Sequence, residues 1–293
     1  MPRVYCDNTF YDSIAKRRSG FAPKDVDEFR ALSGHAIRSY FSPVNGDEIL
    51  TQWASDPAGA LQRLVIARDL VGFDNILKQP SDLLRDEILA YGRGLSSPPM
   101  TMARSQAELF DRELRAVAKG GPDAGPLAAQ VAADVTRLKD DDKKPMVDAQ
   151  REVLTAMRWV DQTPEDRASV TFEKFRADFG TALIEGYADS LGVGDKCRHR
   201  GIPALLKRRA VEFLVGAQAA WVYTVTVPQG GLETRQVDRN DGYDNWHALM
   251  AAAADIFVTG DERLAVRMKW LNIADFTVVK TLRELLDVVG TRR

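Results

Sequence analysis

The feature that most constrains this chain is the alternation of predicted strands and helices at its two ends. Short apolar runs of β-prone residues stop at polar residues, and apolar residues at helical spacing follow them. The predicted strands are Arg3–Cys6, His35–Phe41, Val222–Val227, Asp255–Thr259 and Phe276–Val279. Alternation of this kind is typical of a parallel sheet whose strands are joined by helices. We therefore predict an α/β fold.

The middle of the chain has a different pattern. Between residues 56 and 219 apolar side chains recur every three or four positions, as they do from Phe172 through Phe175 and Phe179 to Leu183. This spacing predicts amphipathic helices. We expect residues 1–55 and 220–293 to form the α/β core, and residues 56–219 to form a large, mostly helical insertion.

Composition excludes several classes of protein. The hydrophobic fraction of 45% is enough for a sizeable core, and the net charge of −2 excludes a uniformly basic nucleic-acid coat. Two cysteines, Cys6 and Cys197, are too few for a disulfide framework or a cysteine-based zinc site. No run approaches the roughly 20 apolar residues of a membrane span. We expect a soluble cytoplasmic protein without a membrane partner.

Acidic residues stand where the predicted strands end and the helices begin. Asp7 and Asp261 follow strands, and Glu48 lies early in the helix after the second strand. Asp241 and Asp244 come just before an alanine-rich helix. In parallel sheets ligands bind at the carboxyl edge, and carboxylates crowded there need a cation. Oxygen ligands without His or Cys favour Mg²⁺ or Mn²⁺, and such ions activate water for phosphodiester hydrolysis.

These motifs together resemble those of the PIN domain nucleases. The resemblance lies in Val4–Thr9, in Tyr40–Val44 with Glu48–Leu50, in Asn240–His247 and in Asp255–Asp261. The last is the most specific, because the family presents its later acids on an alanine-rich helix that runs into an apolar strand and Thr-x-Asp. The resemblance covers about residues 1–55 and 220–293. It implies a three-layer α/β/α fold with a parallel sheet.

The resemblance also implies a metal-dependent ribonuclease. The acids implied to be catalytic and metal-coordinating are Asp7, Glu48, Asp244 and Asp261, with Asp241 as a rival or companion of Asp244 in metal binding and Thr259 as a support for the last acid. Such an endoribonuclease would act on single-stranded or structured RNA with Mg²⁺ or Mn²⁺. An inhibitory protein partner and a homo-oligomer are compatible with it. On this view Asp7→Asn reduces metal affinity or turnover and leaves folding intact or improved.

The chain departs from the family in two respects. The first motif reads Asp7-Asn8-Thr9, where the family often has Asp-Thr-Asn. The stretch between Glu48 and Asp241 is also far longer than in the compact members. These departures leave the substrate and the regulation of the protein open.

Each acid also has an ordinary structural interpretation. Asp7 could end a turn, and Glu48 could lie on a solvated helix face. Asp244 and Asp261 could begin helices. The coincidence of all four favours a site. The alternative is a PIN-like scaffold whose helical insertion binds a protein without catalysis. A phosphatase of the haloacid dehalogenase type would need a second Asp two residues after Asp7, where Thr9 stands.

Two further features have a functional and a structural interpretation. The basic residues of Lys196–Arg200 and Lys207–Arg209 could contact RNA phosphates, or they could form solvated helix ends. His247 lies three residues after Asp244 on the same helix face, where it could bond to that carboxylate or pack in the interior.

Overall fold

The computed structural model describes most of the chain. The described residues are 1–53, 55–71, 75–118, 125–126, 128–130, 133, 151–227 and 241–291. The chain forms two compact units. The first, which we call the sheet unit, comprises Met1–Gln79, Pro99–Leu138 and Ala253–Arg293. The second, which we call the helical unit, comprises Pro80–Pro98 and Lys139–Ala252.

The sheet unit is built on a parallel sheet of four short strands. The strands are β1 (Arg3–Cys6), β2 (Arg38–Tyr40), β3 (Ile256–Val258) and β4 (Thr277–Val279). Their order across the sheet is β2-β1-β3-β4, and every neighbouring pair is parallel. Tyr5 on β1 is in register with Tyr40 and with Phe257. The predicted α/β class and the parallel sheet are confirmed.

Helices of the sheet unit cover this sheet and bury its apolar side chains. Numbered in chain order together with the helices of the other unit, they are α1 (Asn8–Ala15), α2 (Pro23–Leu32), α3 (Pro43–Thr51), α4 (Pro57–Leu70), α6 (Arg104–Ala118), α13 (Glu262–Trp270) and α14 (Leu282–Thr291). Val4 and Ile256 of the sheet join Phe10, Phe29 and Leu285 of the helices in one buried cluster. Burial of such side chains is the main stabilising contribution in a fold of this type.

Three helices of the sheet unit begin at residues that sequence analysis placed after strands. Asp7 caps α1 by accepting from the Phe10 N–H, and Asp261 caps α13 by accepting from the Leu264 N–H. Ser42 caps α3, and Pro43 follows it at the first helical position. A side-chain oxygen at this position satisfies one of the unpaired N–H groups of a helix start. Local chemistry therefore sets these three strand-to-helix junctions.

The described part of the helical unit consists of helices. They are α5 (Pro80–Gly92), α7 (Pro164–Ser169), α8 (Phe172–Ser190), α9 (Gly194–Arg200), α10 (Ile202–Leu205), α11 (Arg209–Thr226) and α12 (Asp241–Ala251). Helices α8 and α11 pack closely at Gly180, where a Cβ atom would lie 2.5 Å from Val215 Cγ1. Beside this contact the rings of Phe175 and Tyr223 lie 5.4 Å apart. The predicted helical character of the middle of the chain is confirmed for the described residues.

The predicted strand Val222–Val227 is wrong. These residues continue α11, whose helical pattern extends to the bond from the Val227 N–H to the Tyr223 carbonyl. Most residues of α11 are buried, and its last part, from Ala219 onward, carries no charged side chain. A continuously apolar run of this kind is compatible with a buried strand or a buried helix, and packing decides between them. In the tertiary structure this segment packs as a helix.

The boundaries of the units also differ from those expected. Sequence analysis divided the chain at residues 55/56 and 219/220, whereas the units divide at 79/80, 98/99, 138/139 and 252/253. Helix α4, which was expected in the insertion, packs against α1 in the sheet unit. Among the described helices, none combines the length and the apolar character that crossing a bilayer demands.

Candidate active site

The carboxyl ends of β1 and β3 form a natural binding place in the sheet unit. These strands are neighbours, but the chain runs on from β1 to β2 on one side and from β3 to β4 on the other. The segments that leave them therefore diverge, and such switch points are where parallel α/β sheets bind ligands. Asp7 directly follows β1, and its N–H donates to the Val258 carbonyl at 3.0 Å. Asp7 therefore lies at the switch point, as does Thr259.

Hydrogen-bond donors surround the Asp7 carboxylate, which is only 3% exposed. Its Oδ1 accepts from the Thr9 hydroxyl at 2.6 Å and from the Phe10 N–H at 3.2 Å. Its Oδ2 accepts from the Thr259 hydroxyl at 2.5 Å. Bonds of this kind, together with the positive end of the α1 dipole, favour a negative charge at this position.

Two threonine hydroxyls connect Asp7 to the turn that carries Asp261. Thr259 Oγ1 donates to Asp7 and accepts from the Asp261 N–H at 3.0 Å. Thr9 Oγ1 donates to Asp7 and accepts from the Gly260 N–H at 2.6 Å. Because each hydroxyl uses both its donor and an acceptor, the loops after β1 and β3 are held together. Asp7 and Asp261 share one edge of the sheet, as expected.

Glu48 is placed by α3, which starts just after β2. It lies one turn beyond the start of the helix and is partly buried. The pKa of the Tyr5 phenol is raised well above its usual range, first by burial and then by the nearby charges of Glu48 and Asp7, against the opposing hydrogen bond with Ser42. Glu48 and Asp7 are therefore both close enough to act electrostatically on one buried phenol.

The other two predicted acids belong to the helical unit. Asp241 and Asp244 lie in the first turns of α12. Asp244 is partly buried, and the side chain of Asp241 lies outside the described residues. His247, on the same helix, is buried, which agrees with the packed interpretation of this residue. The convergence of Asp241 or Asp244 with the acids of the sheet unit remains a prediction.

The oxygen atoms at this edge of the sheet unit can be compared with the ligands that a divalent cation requires. Within the described residues, no three Asp, Glu, His or Cys side chains form a group that could hold a metal ion. Mg²⁺ does not require such a group, because it usually keeps several waters and binds one or two carboxylates together with substrate phosphates. Next to Asp7, the Asn8 Oδ1 is buried and has no hydrogen-bond partner among the described residues, and a hard amide oxygen is a suitable ligand. These oxygen ligands thus fit Mg²⁺ or Mn²⁺, although the described residues do not supply a cluster of three acids.

Three arginines of the basic run of the helical unit have structural contacts. Arg198 pairs with two acids of its own unit. Arg208 pairs with the buried Glu87, and Arg209 donates to the Ala252 carbonyl. An arginine held in this way stabilises the helix packing. The structural interpretation of the run therefore applies to these three arginines.

Sequence analysis missed three polar residues beside the acids. Thr9 was named only within the first motif and as the residue that argues against a phosphatase, and Ser42 only within the motif Tyr40–Val44. Asn45 was not considered. The spacing Ser42-x-x-Asn45, with Pro43 between them, matches a capping box at a helix start. This spacing was the one signal that could have identified Asn45.

Comparison with known proteins adds no relative. The chain matches no family model, no curated protein and no solved structure. The function has to be inferred from the residues and their geometry.

The Thr259 hydroxyl is expected to contribute measurably to stability. Thr259→Val keeps the shape but removes one donor to Asp7 and the acceptor of the Asp261 N–H. The loss in free energy of unfolding should be about 1–3 kcal/mol, because buried polar groups lose their partners. Urea unfolding measures it. Thr181→Val is the control, since within the described residues the Thr181 hydroxyl bonds to the Ala177 carbonyl in an exposed part of α8. Equal stabilities of the two variants would contradict the proposed link.

Proposed function

We propose that this protein is a Mg²⁺- or Mn²⁺-dependent ribonuclease of the PIN type that hydrolyses RNA phosphodiester bonds. One observation carries the proposal. The carboxylate of Asp7 lies at the switch point of a parallel sheet, where Thr9 and Thr259 link it to the turn of Asp261. The resemblance of the sequence motifs supports the same assignment.

In this proposal, acids hold the cation and no side chain attacks the substrate. Asp7, Glu48 and Asp261 would hold the ion, with Asp244 or Asp241 as the further acid. A bound Mg²⁺ or Mn²⁺ supplies a water of lowered pKa and stabilises negative charge on the leaving oxygen. Thr9 and Thr259 keep the Asp7 carboxylate in one orientation, so that binding does not require its reordering.

The candidate protein nucleophiles near Asp7 are poorly suited to attack. The Ser42 hydroxyl is fully buried and bonded to Tyr5 and to Asn45. Burial raises the pKa of the Cys6 thiol well above its usual range, and the charge of Asp7 raises it further. A neutral buried thiol is a weak nucleophile. This favours direct attack by water.

A second candidate function is a PIN-like scaffold in which the helical unit binds a protein without catalysis. The observation that favours it is the incomplete acid group within the described residues. A scaffold would need neither a cation nor Glu48.

Cleavage of labelled RNA separates the two functions. The full chain, purified and freed of metal, is incubated with single-stranded and hairpin RNAs and with a DNA of the same sequence. We expect cleavage of RNA with Mn²⁺ or Mg²⁺, none with EDTA, and recovery when excess Mn²⁺ is added. Cleavage that persists in EDTA, or its absence from every RNA together with no binding of Mn²⁺, would contradict the proposed ribonuclease.

A further inference from the structure

We infer that Asn45 is a positioning residue that fixes Glu48 relative to Asp7 and thereby sets the affinity of the cation site. This inference rests on the proposed function, because it assumes that Glu48 and Asp7 bind the same ion. It concerns a residue that contacts neither substrate nor cation in the proposal.

The side chain of Asn45 joins the start of α3 to the end of β1. Its Nδ2 donates to the Cys6 carbonyl at 3.0 Å. Its Oδ1 accepts from the Ser42 N–H at 3.1 Å and from the Ser42 hydroxyl at 2.9 Å. The residue has no exposed surface. Both ends of the amide are therefore used, one for the cap of α3 and one for the strand.

A second contact supports the same junction. The Ser42 hydroxyl donates its hydrogen bond to Asn45 Oδ1, so Tyr5 is the donor in the 2.8 Å bond between the Tyr5 and Ser42 oxygens. Ser42 Oγ also accepts from the Asn45 N–H at 3.2 Å. The first turn of α3 is thus bonded to two residues of β1, Tyr5 and Cys6.

The position of these bonds in the sequence connects them to the acids. Asn45 lies three residues before Glu48, so the two share a helix face about 4.5 Å apart along the axis. Cys6, which accepts from Asn45, directly precedes Asp7. One hydrogen bond, from Asn45 Nδ2 to the Cys6 carbonyl, therefore connects the helical turn before Glu48 to the residue that precedes Asp7. Without this bond, α3 loses a direct link to β1, the strand that Asp7 follows.

If Asn45 acted only as a helix cap, its loss would not change the affinity of the cation site. Thr163 and Asp166 form the same kind of capping box in the helical unit, at an exposed helix start. Asp166→Ala removes the same cap bonds as Asn45→Ala, but it removes no bond to a strand. Comparison of the two variants separates positioning from capping.

The test is Mn²⁺ binding by the full chain, followed through the electron paramagnetic resonance signal of free Mn²⁺. We expect Asn45→Ala to weaken binding about 10-fold, the lower end of the loss when a bond to a metal ligand is removed, because Asn45 acts on the ligands through Ser42 and Cys6. Asp166→Ala should stay within about twofold of wild type. Adding Asn45→Ala to Glu48→Gln should weaken binding little further, because a residue that acts through Glu48 gives non-additive effects.

The outcomes distinguish the two proposals. Wild-type protein that binds no Mn²⁺ overturns the cation site and the ribonuclease with it. Wild-type binding that Asn45→Ala leaves unchanged, or additive losses with Glu48→Gln, overturns the positioning role alone. If Asn45→Ala is unfolded by circular dichroism, Asn45→Ser is used, since its hydroxyl remains near Ser42 but is too short to reach Cys6. The same loss is expected, and unchanged binding overturns the role in the same way.

Discussion

Asp7→Asn is expected to lower the rate of metal-dependent RNA cleavage by at least about 100-fold, since losing even an outer partner of a metal ligand costs about 10-fold to 100-fold. The substitution nearly keeps the shape but removes the negative charge at the switch point of the sheet. The measurements are single-turnover cleavage at saturating Mn²⁺ and the affinity for Mn²⁺. Unchanged cleavage by the variant, at matched purity, would remove Asp7 from the site.

The same variant is also expected to be less stable, which reverses the expectation from sequence. Relief of repulsion between carboxylates suggested unchanged or improved folding. The structure instead surrounds the Asp7 oxygens with donors, the hydroxyls of Thr9 and Thr259 and the Phe10 N–H. An amide NH₂ in place of one oxygen faces a donor, so about 1–3 kcal/mol of stability should be lost. Cleavage is therefore compared under conditions where both proteins are folded.

The largest expected effect on stability is that of Asp12→Ala. Asp12 on α1 pairs with Arg63 on α4, whose Nη1 lies 2.7 Å from Asp12 Oδ1. The Arg63 side chain is 3% exposed, and its Nε and Nη2 make no hydrogen bond within the described residues. Removing Asp12 leaves the buried guanidinium with the more distant, half-exposed Asp56 carboxylate, 3.8 Å from its Nη2. The loss should therefore approach the about 3–5 kcal/mol of an uncompensated buried charge. Urea unfolding of the variant measures the loss.

Two controls separate this buried pair from its exposed neighbours. Lys16 and Arg18 also contact Asp12, but both are more than half exposed. Replacing either with Ala should cost less than about 1 kcal/mol. Adding Arg63→Met to Asp12→Ala should recover stability, because the buried charge that lost its close partner is then gone. A double variant as unstable as Asp12→Ala would argue against the buried charge as the cause.

Asp12 and its three basic partners predict a dependence of stability on pH. Burial alone would raise the pKa of Asp12, but Lys16, Arg63 and Arg18 outweigh it and hold the pKa below its usual range. Because the pKa is lower in the folded state, the contribution to stability is complete above the unfolded value of about 4. It is lost as the pH falls through the folded pKa. Asp12→Ala should therefore flatten the acid side of the stability profile, as urea unfolding at a series of pH values would show.

Part of the candidate site could be predicted because it depends on local chemistry. Asp7 and Asp261 follow short apolar strands and cap the helices after them, and these roles involve only residues near in sequence. Parallel pairing then brings both residues to one edge. Glu48 follows in the same way from a strand, a Ser-Pro helix start and one further turn. For Asp7 and Asp261, the sequence pattern was sufficient to indicate the edge of the sheet.

The links between these acids could not be predicted from the pattern. Thr259 and Asp7 are 252 residues apart, and Asn45 and Cys6 are 39 apart. A threonine after a strand or an asparagine in a helix start has many possible partners, and local sequence does not choose among them. The same holds for the salt bridge of Asp12 with Arg63, which exists only because α1 packs on α4.

The sequence by itself determined the class of fold, the helical character of the described middle and the three strand-to-helix junctions of the sheet unit. These follow from periodicity and capping, which act over a few residues. Only the tertiary structure decided that Val222–Val227 is helical, where the two units divide, and which hydroxyls and amides hold Asp7. The physical reason is that an apolar run or a polar side chain is satisfied equally well by several local structures. The choice between them is made by burial and by hydrogen-bond partners far away in the chain.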